Sequence, residues 1–123
     1  MRESALTVVS RTQNGWSSAG NGSASHLAGE LLKYTAKIDM VHVPYKGQAQ
    51  SVIDQISGQI QLAFNTAIGV IPHVNQGRLK AIAISTRERF PAMPELPSVE
   101  ESGIKGFDGG SWNGVVMPAG TTP

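Results

Sequence analysis

The chain has 123 residues, 40% of them hydrophobic, 15% charged and 6% aromatic, with a formal net charge of +1. That length suits one compact domain with a buried core, and that charge leaves no electrostatic footprint for nucleic acid or an anionic membrane surface. The absence of cysteine excludes disulfides, thiolate metal sites and a cysteine nucleophile, while leaving the redox compartment open.

The opening "MRESALTVV" has too short an apolar core for a secretion signal, and no run approaches the ~18 apolar residues of a membrane span. A natural start at Met1 would therefore put the chain in the cytoplasm. The segment "ESALTVVSRTQ" has two readings. Ala5, Leu6, Val8 and Val9 fit a short lead-in helix within residues 1–12, whereas "LTVV" alone passes for a strand.

From Trp16 the signals alternate. A short strand-like run breaks at Gly20, Asn21 and Gly22, and Ser23 leads into an apolar stripe of Ala24, Leu27, Ala28, Leu31 and Leu32 at helical spacing. "MVHV" (40–43), "IQLAF" (60–64) and "LKAIAIS" (79–85) are short, β-branched and near-continuously apolar, as suits strands covered on both faces. Between them, Ala49, Val52, Ile53 and Ile56 form a second helical stripe, and Ala67, Val70, Ile71 and Val74 a third. Gly58 and Gly77 follow these stripes where a left-handed capping residue belongs. Pro72 lies inside the third stripe, so that helix is expected to begin near it or to kink there. Alternating strands and helices with short connections predict an α/β fold, a mostly parallel sheet with helices on both faces.

After Thr86 the character changes. Pro91, Pro94 and Pro97 forbid a long helix or a central strand. Ser98 and Glu101 make a capping box for a short helix that Gly103 ends, within a Pro-rich loop over 87–110. "GSWNGVVMP" reads as a last strand over 111–117.

Ligands of open α/β sheets bind at the carboxyl ends of the strands. Those ends are residues 18–23, 45–47, 65–66 and 85–86, nearly all neutral polar or glycine, with Lys46 the one charge. The turn at 20–22 lets backbone approach a ligand, and the helix after it offers unsatisfied N–H groups and a positive dipole end. The plainer alternative is that these serines and glycines only cap a helix and close a turn. A dinucleotide fingerprint fits poorly: Ser25 stands where the third glycine belongs, and Asp39 precedes its strand instead of following it. A P-loop is absent. His26, His42 and His73 lack paired metal-ligand spacing. His42 reads as a packed or edge residue, and His26 as a residue that contacts ligand or orients the loop. No Gly-x-Ser-x-Gly elbow occurs, and the carboxylates of Asp54, Glu95, Glu100, Glu101 and Asp108 fall on helix faces or in the Pro-rich loop, so no catalytic residue, metal site or cofactor is expected.

The segments "WSSAGNGSASHLAGELL", "DMVHVPYKGQAQSVIDQISGQIQLAFNT", "IPHVNQGRLKAIAIST" and "RFPAMPELPSVEESGIKGFDGGSWNGVVMPAGTTP" together resemble one lobe of the Bug-type, TctC-like receptors. These are the extracytoplasmic solute-binding components of tripartite tricarboxylate transporters. The likeness runs from about Gln13 to Pro123. It implies a three-layer lobe of the type 2 periplasmic-binding-protein fold: a five-stranded, mostly parallel sheet with one antiparallel hinge-type strand. In that family two lobes close on a small carboxylate held by backbone N–H groups, hydroxyls and waters. Carried over, the ligand-binding residues would be Ser18, Gly20, Asn21, Gly22 and Ser23, then Tyr45, Lys46 and Gly47, then Asn65 and Thr66, with Trp112 packing or binding. Many members carry Asp where Asn65 stands, which implies a lost contact to a ligand amine; the more frequent Tyr where Trp16 stands implies a change of packing. The chain matches only the inserted second lobe.

The expectation is thus a lone lobe (1–123) recognising a di- or tricarboxylate, an amino acid or an aromatic acid, weakly and without catalysis. The resemblance implies a periplasmic location. Its partners would be the first lobe or a second copy of itself as a homodimer, and transporter membrane subunits only within a full-length receptor. Two alternatives stand beside this: a nucleotide-dependent enzyme using the loop at 20–25, and a dimeric interaction protein that has lost ligand binding.

Overall fold

The structure, a computed structural model, describes residues 2–3, 5–7, 15–112 and 114–121. In chain order its elements are β1 (Arg2–Glu3), β2 (Ala5–Thr7), β3 (Gly15–Ser18), α1 (Ala24–Ala36), β4 (Val41–Pro44), α2 (Gln48–Ile56), β5 (Leu62–Asn65), α3 (Ala67–Asn75), β6 (Ala81–Ala83) and β7 (Ser111–Trp112). Five strands form one sheet in the order β4-β3-β5-β2-β6. β3 runs parallel to β4, with Trp16 opposite His42, and parallel to β5, with Trp16 opposite Leu62. β2 lies antiparallel between β5 and β6, so the sheet is mostly parallel with one reversed strand, as the resemblance implies. Of the two readings of the opening segment, the lead-in helix gives way to a strand at Ala5–Thr7. Pairing on both sides overrides the local helical spacing there; residues 8–14 lie outside the described residues.

Side-chain alternation along the strands divides the core between two faces. Trp16, Leu62, Phe64 and Ala83 pack under α1 with Ala28, Leu32, Val99 and Phe107. On the other face Val52 of α2 meets Ala67 and Val70 of α3 and Ile84, and the buried hydroxyls of Ser17 and Ser51 share a hydrogen bond at 2.6 Å. Gly29 brings α1 down onto β3: a Cβ there would overlap the six-membered ring of Trp16. The first stripe is broader than the core needs, because α1 buries Ala28, Gly29 and Leu32 and leaves Leu27 62% exposed.

Helix ends follow the sequence signals closely. Gly58 and Gly77, at φ +80° and +70°, close Schellman motifs: Gln59 N–H donates to Asp54 O at 2.8 Å, and Arg78 N–H to His73 O at 2.9 Å. Of the two expectations for α3, a start near Pro72 is overturned. It begins at Ala67 and runs through Pro72, an irregularity tolerated in its second half because Ala67 and Val70 anchor the first turn in the core. The capping box forms, with Ser98 N–H donating to Glu101 Oε2 at 2.7 Å and Glu101 N–H to Ser98 Oγ at 3.1 Å. It caps only a run of turns, however, and no helix follows. The last strand is shorter than predicted as well. Only Ser111–Trp112 pairs, antiparallel to β1 in a separate ribbon; residues 114–118 lie in no strand, and Val115 and Val116 point into solvent. Apolar, β-branched residues do not make a strand without a neighbour to receive their hydrogen bonds. Among the described residues no helix is long and apolar enough to cross a membrane.

Candidate functional site

In a parallel βαβ arrangement each helix begins just past the carboxyl end of a strand, so helix N-termini collect along one edge of the sheet. Here α1 leaves β3 on one face, while α2 and α3 lie on the other. Adjacent β3 and β5 therefore send their helices to opposite sides, which opens a crevice between their ends. A hollow of about 180 Å³ occupies that place, and its lining includes Ser23, the N-cap of α1, Gln48, the first residue of α2, and Thr66, the N-cap of α3. Asn65, Ser25 and Ser85 add polar atoms, and Phe64, Ala28 and Trp112 add apolar ones. No acidic or basic side chain is among the lining residues.

Local chemistry fixes the loop at residues 18–26. Ser23 Oγ accepts from His26 N–H at 3.2 Å and donates to Gly20 O at 2.7 Å. Ser25 Oγ accepts from Ala19 N–H at 3.0 Å, and Gly22 N–H donates to His26 Nδ1 at 2.9 Å. Gly20 and Gly22 take φ +141° and +77°, values that L side chains rarely adopt. The loop is tied to the next strand end by Tyr45 N–H donating to Ser18 O at 3.1 Å and Gly47 N–H to Ala19 O at 2.9 Å. Of the two readings of His26, the geometry supports the orienting one: its ring nitrogen accepts from the loop, and the ring stacks on His42 with centroids 4.1 Å apart; it is not among the residues lining the crevice. His42 packs in turn on Trp16 at 4.5 Å, as the strand pattern predicts. Burial, followed by the neighbouring His26, holds the His42 imidazole below its ordinary value.

Of the ten residues singled out from the sequence, Ser23, Asn65 and Thr66 line the crevice. Ser18 is 1% exposed and lies beneath the loop, its hydroxyl sharing a 2.7 Å hydrogen bond with His42 Nε2. Gly20, Asn21 and Gly22 form the turn beside the crevice, and Lys46 and Gly47 the next strand end. Tyr45 sends its hydroxyl to Asp54 Oδ2 at 2.7 Å; burial and that carboxylate push the phenol up to about 12. Asn65 Nδ2 donates to Gln55 Oε1 at 2.9 Å. Thr66 Oγ1 donates to Gln48 Oε1 at 2.7 Å, which also accepts from Thr66 N–H at 3.3 Å.

Gln48 and Ser111 are lining residues that sequence reasoning passed over. The signal for Gln48 was its place directly after Gly47 at a helix start; nothing local pointed to Ser111, which arrives from the far end of the chain. Among the described residues no three His, Cys, Asp or Glu side chains gather as a metal site. Asp39 precedes β4, at the opposite end from the crevice, so the ribose contact of a dinucleotide site has no acid to make it.

Residues 8–123 match the family model described as the tripartite tricarboxylate transporter family receptor. Among curated relatives, a protein from the tcbD-tcbE intergenic region of Pseudomonas sp. is 33% identical over 86% of this chain and 32% of its own length. Protein BugT of Bordetella pertussis is 31% identical over 83% of this chain and 31% of its own length. The chain thus spans about a third of those two relatives. Among solved structures, an R. palustris protein with adipate superposes at a TM-score of 0.84 with 26% identity, over 90% of this chain and 43% of that one. The periplasmic binding protein BugD gives 0.78 with 27% identity, over 89% and 42%. MatC of Rhodopseudomonas palustris with bound malate gives 0.79 with 26% identity, over 89% and 43%. The chain therefore belongs to the tripartite tricarboxylate transporter receptor family, the Bug-type solute-binding proteins, and has the α/β fold of one lobe of a periplasmic binding protein.

Proposed function

We propose that this lobe recognises a small carboxylate in the crevice between β3 and β5, and that it catalyses no reaction. The observation that carries this reading is the convergence of the first residues of α1, α2 and α3 on one hollow whose lining is uncharged. Each helix start carries roughly half a positive charge, so three of them favour an anion without any lysine or arginine. The relatives solved with adipate and malate support the same class of ligand. With one wall of a cleft, little of the ligand is buried compared with the 70–90% typical of enclosed sites, so the chain alone binds weakly. In a full-length receptor the remaining wall would come from the first lobe, in the periplasm, with transporter membrane subunits as downstream partners.

Ala24 provides the test. It is the first residue of α1, lies exposed on the crevice lining, and no acidic residue occupies that first turn. Ala24→Asp stabilises the helix by about 0.3–1 kcal/mol through its dipole, yet places a negative charge where the ligand sits. By NMR titration with a panel of mono-, di- and tricarboxylates, this variant loses binding more than about tenfold while its melting temperature holds or rises. Ala24→Asn, similar in size and neutral, binds like the wild type. Equal affinity for all three proteins would sink the assignment, and a response to dinucleotides alone would favour the nucleotide-enzyme reading.

A further inference from the structure

Building on the carboxylate reading, we propose that the preferred ligand is an amphipathic monocarboxylate whose apolar tail lies along α1 beneath Trp112. The polar crevice, about 180 Å³, is smaller than the ~300 Å³ at which ligand pockets ordinarily begin. It does not end at its own wall. Ala24, Ala28, Gly109, Ser111 and Trp112 also line a second hollow of about 310 Å³, which continues along the helix to Leu27 and Leu31. The two hollows together have the volume of an ordinary small-molecule site, polar at the strand ends and apolar along the helix.

The tail region explains a feature of α1 that the core does not. The helix buries Ala28, Gly29 and Leu32, yet its apolar stripe extends to Leu27, which stays 62% exposed. Trp112, 80% exposed, stands across from it. An alkyl or aromatic tail would cover both. Charge sets the class of tail. Asp108 is the one ionisable residue in the lining of either hollow, and it sits in the tail region, paired with Arg87 at 3.9 Å and accepting from Gly110 N–H at 3.3 Å. A second carboxylate on the ligand would meet this acid in a space lined by leucine and alanine. A methyl or phenyl terminus would not.

Hexanoate and adipate, equal in carbon number and different by one carboxylate, separate the cases. Dissociation constants are read from NMR titrations that follow the indole N–H of Trp112. Hexanoate is expected to bind at least about tenfold tighter than adipate, since only the second complex takes a second carboxylate out of water into a space lined by leucine and alanine. Lengthening butyrate to hexanoate is expected to gain about two- to fourfold per methylene. Leu27→Ser, a change at an exposed position outside the lining of the polar crevice, reduces that gain to less than about twofold per methylene. Adipate binding as tightly as hexanoate, or a chain-length gain that survives Leu27→Ser, overturns the tail assignment while leaving the carboxylate site in place. Failure of every acid to bind removes both.

Discussion

The residue that most constrains this lobe is one with no side chain. In a dinucleotide fold the third glycine of the loop allows close helix–strand packing; here Ser25 stands at that position and ties down the loop through Ala19 N–H. Gly29, one turn later, takes over the packing role against Trp16. Gly29→Ala is therefore expected to destabilise the fold by about 2 kcal/mol or more, since an added methyl meets a fully buried indole with no room to move. In a Trp16→Phe background the smaller ring makes room, and the same change should cost at least about 1 kcal/mol less. Urea denaturation of the four proteins measures this coupling; additive effects would mean that the helix shifts as a whole instead of clashing with the ring.

At the scale of elements, a pH response arises where α1 crosses the sheet edge. His42 of β4 is stacked between Trp16 of β3 and His26 of α1, shares a hydrogen bond with Ser18, and feels Glu30 and Lys33 from α1 as weaker, opposing charges. Its folded form resists protonation, so near pH 6.5 the unfolded chain binds more protons than the folded one. Stability is then present above about pH 6.5 and falls as the pH drops below it. His42→Asn should flatten the limb of the profile below about pH 6.5, read as the urea midpoint at each pH; parallel profiles for the two proteins would remove His42 as the cause. How much of the architecture was readable in the chain depends on how local its causes are. α1, α2 and α3 were legible because their stripes, a serine cap at 23 or 25 and the glycines at 58 and 77 all act within a few residues. β2 was legible only as one of two readings, because three residues hold their place only through β5 and β6. The run "GVV" misled for the complementary reason, having strand character and no strand beside it. In the crevice, the uncharged strand ends could be read directly, whereas Gln48 and Ser111 belong to the site only through the convergence of distant segments.

At the scale of the whole molecule, one apolar run stands in water: Trp112, Val115, Val116 and Met117 are all well exposed, the two valines at 97% and 92%. Such a run favours association with another surface, and a second copy is the partner available to the chain alone. Sedimentation at rising concentration should thus reveal species above 13.0 kDa, and Val115→Asp with Val116→Lys should restore the monomer. A wild type that stays monomeric at about millimolar concentration would exclude self-association of useful strength. The small ribbon beside this run has a separate consequence. Because β1 pairs with β7, Arg2 lies opposite Trp112, at the ~5 Å spacing of paired backbones. To any polypeptide entering at one and leaving at the other, everything between amounts to the loop of a hairpin. Splicing residues 2–112 into a surface turn of an unrelated host would thus ask of that host little more than the closure of a short loop.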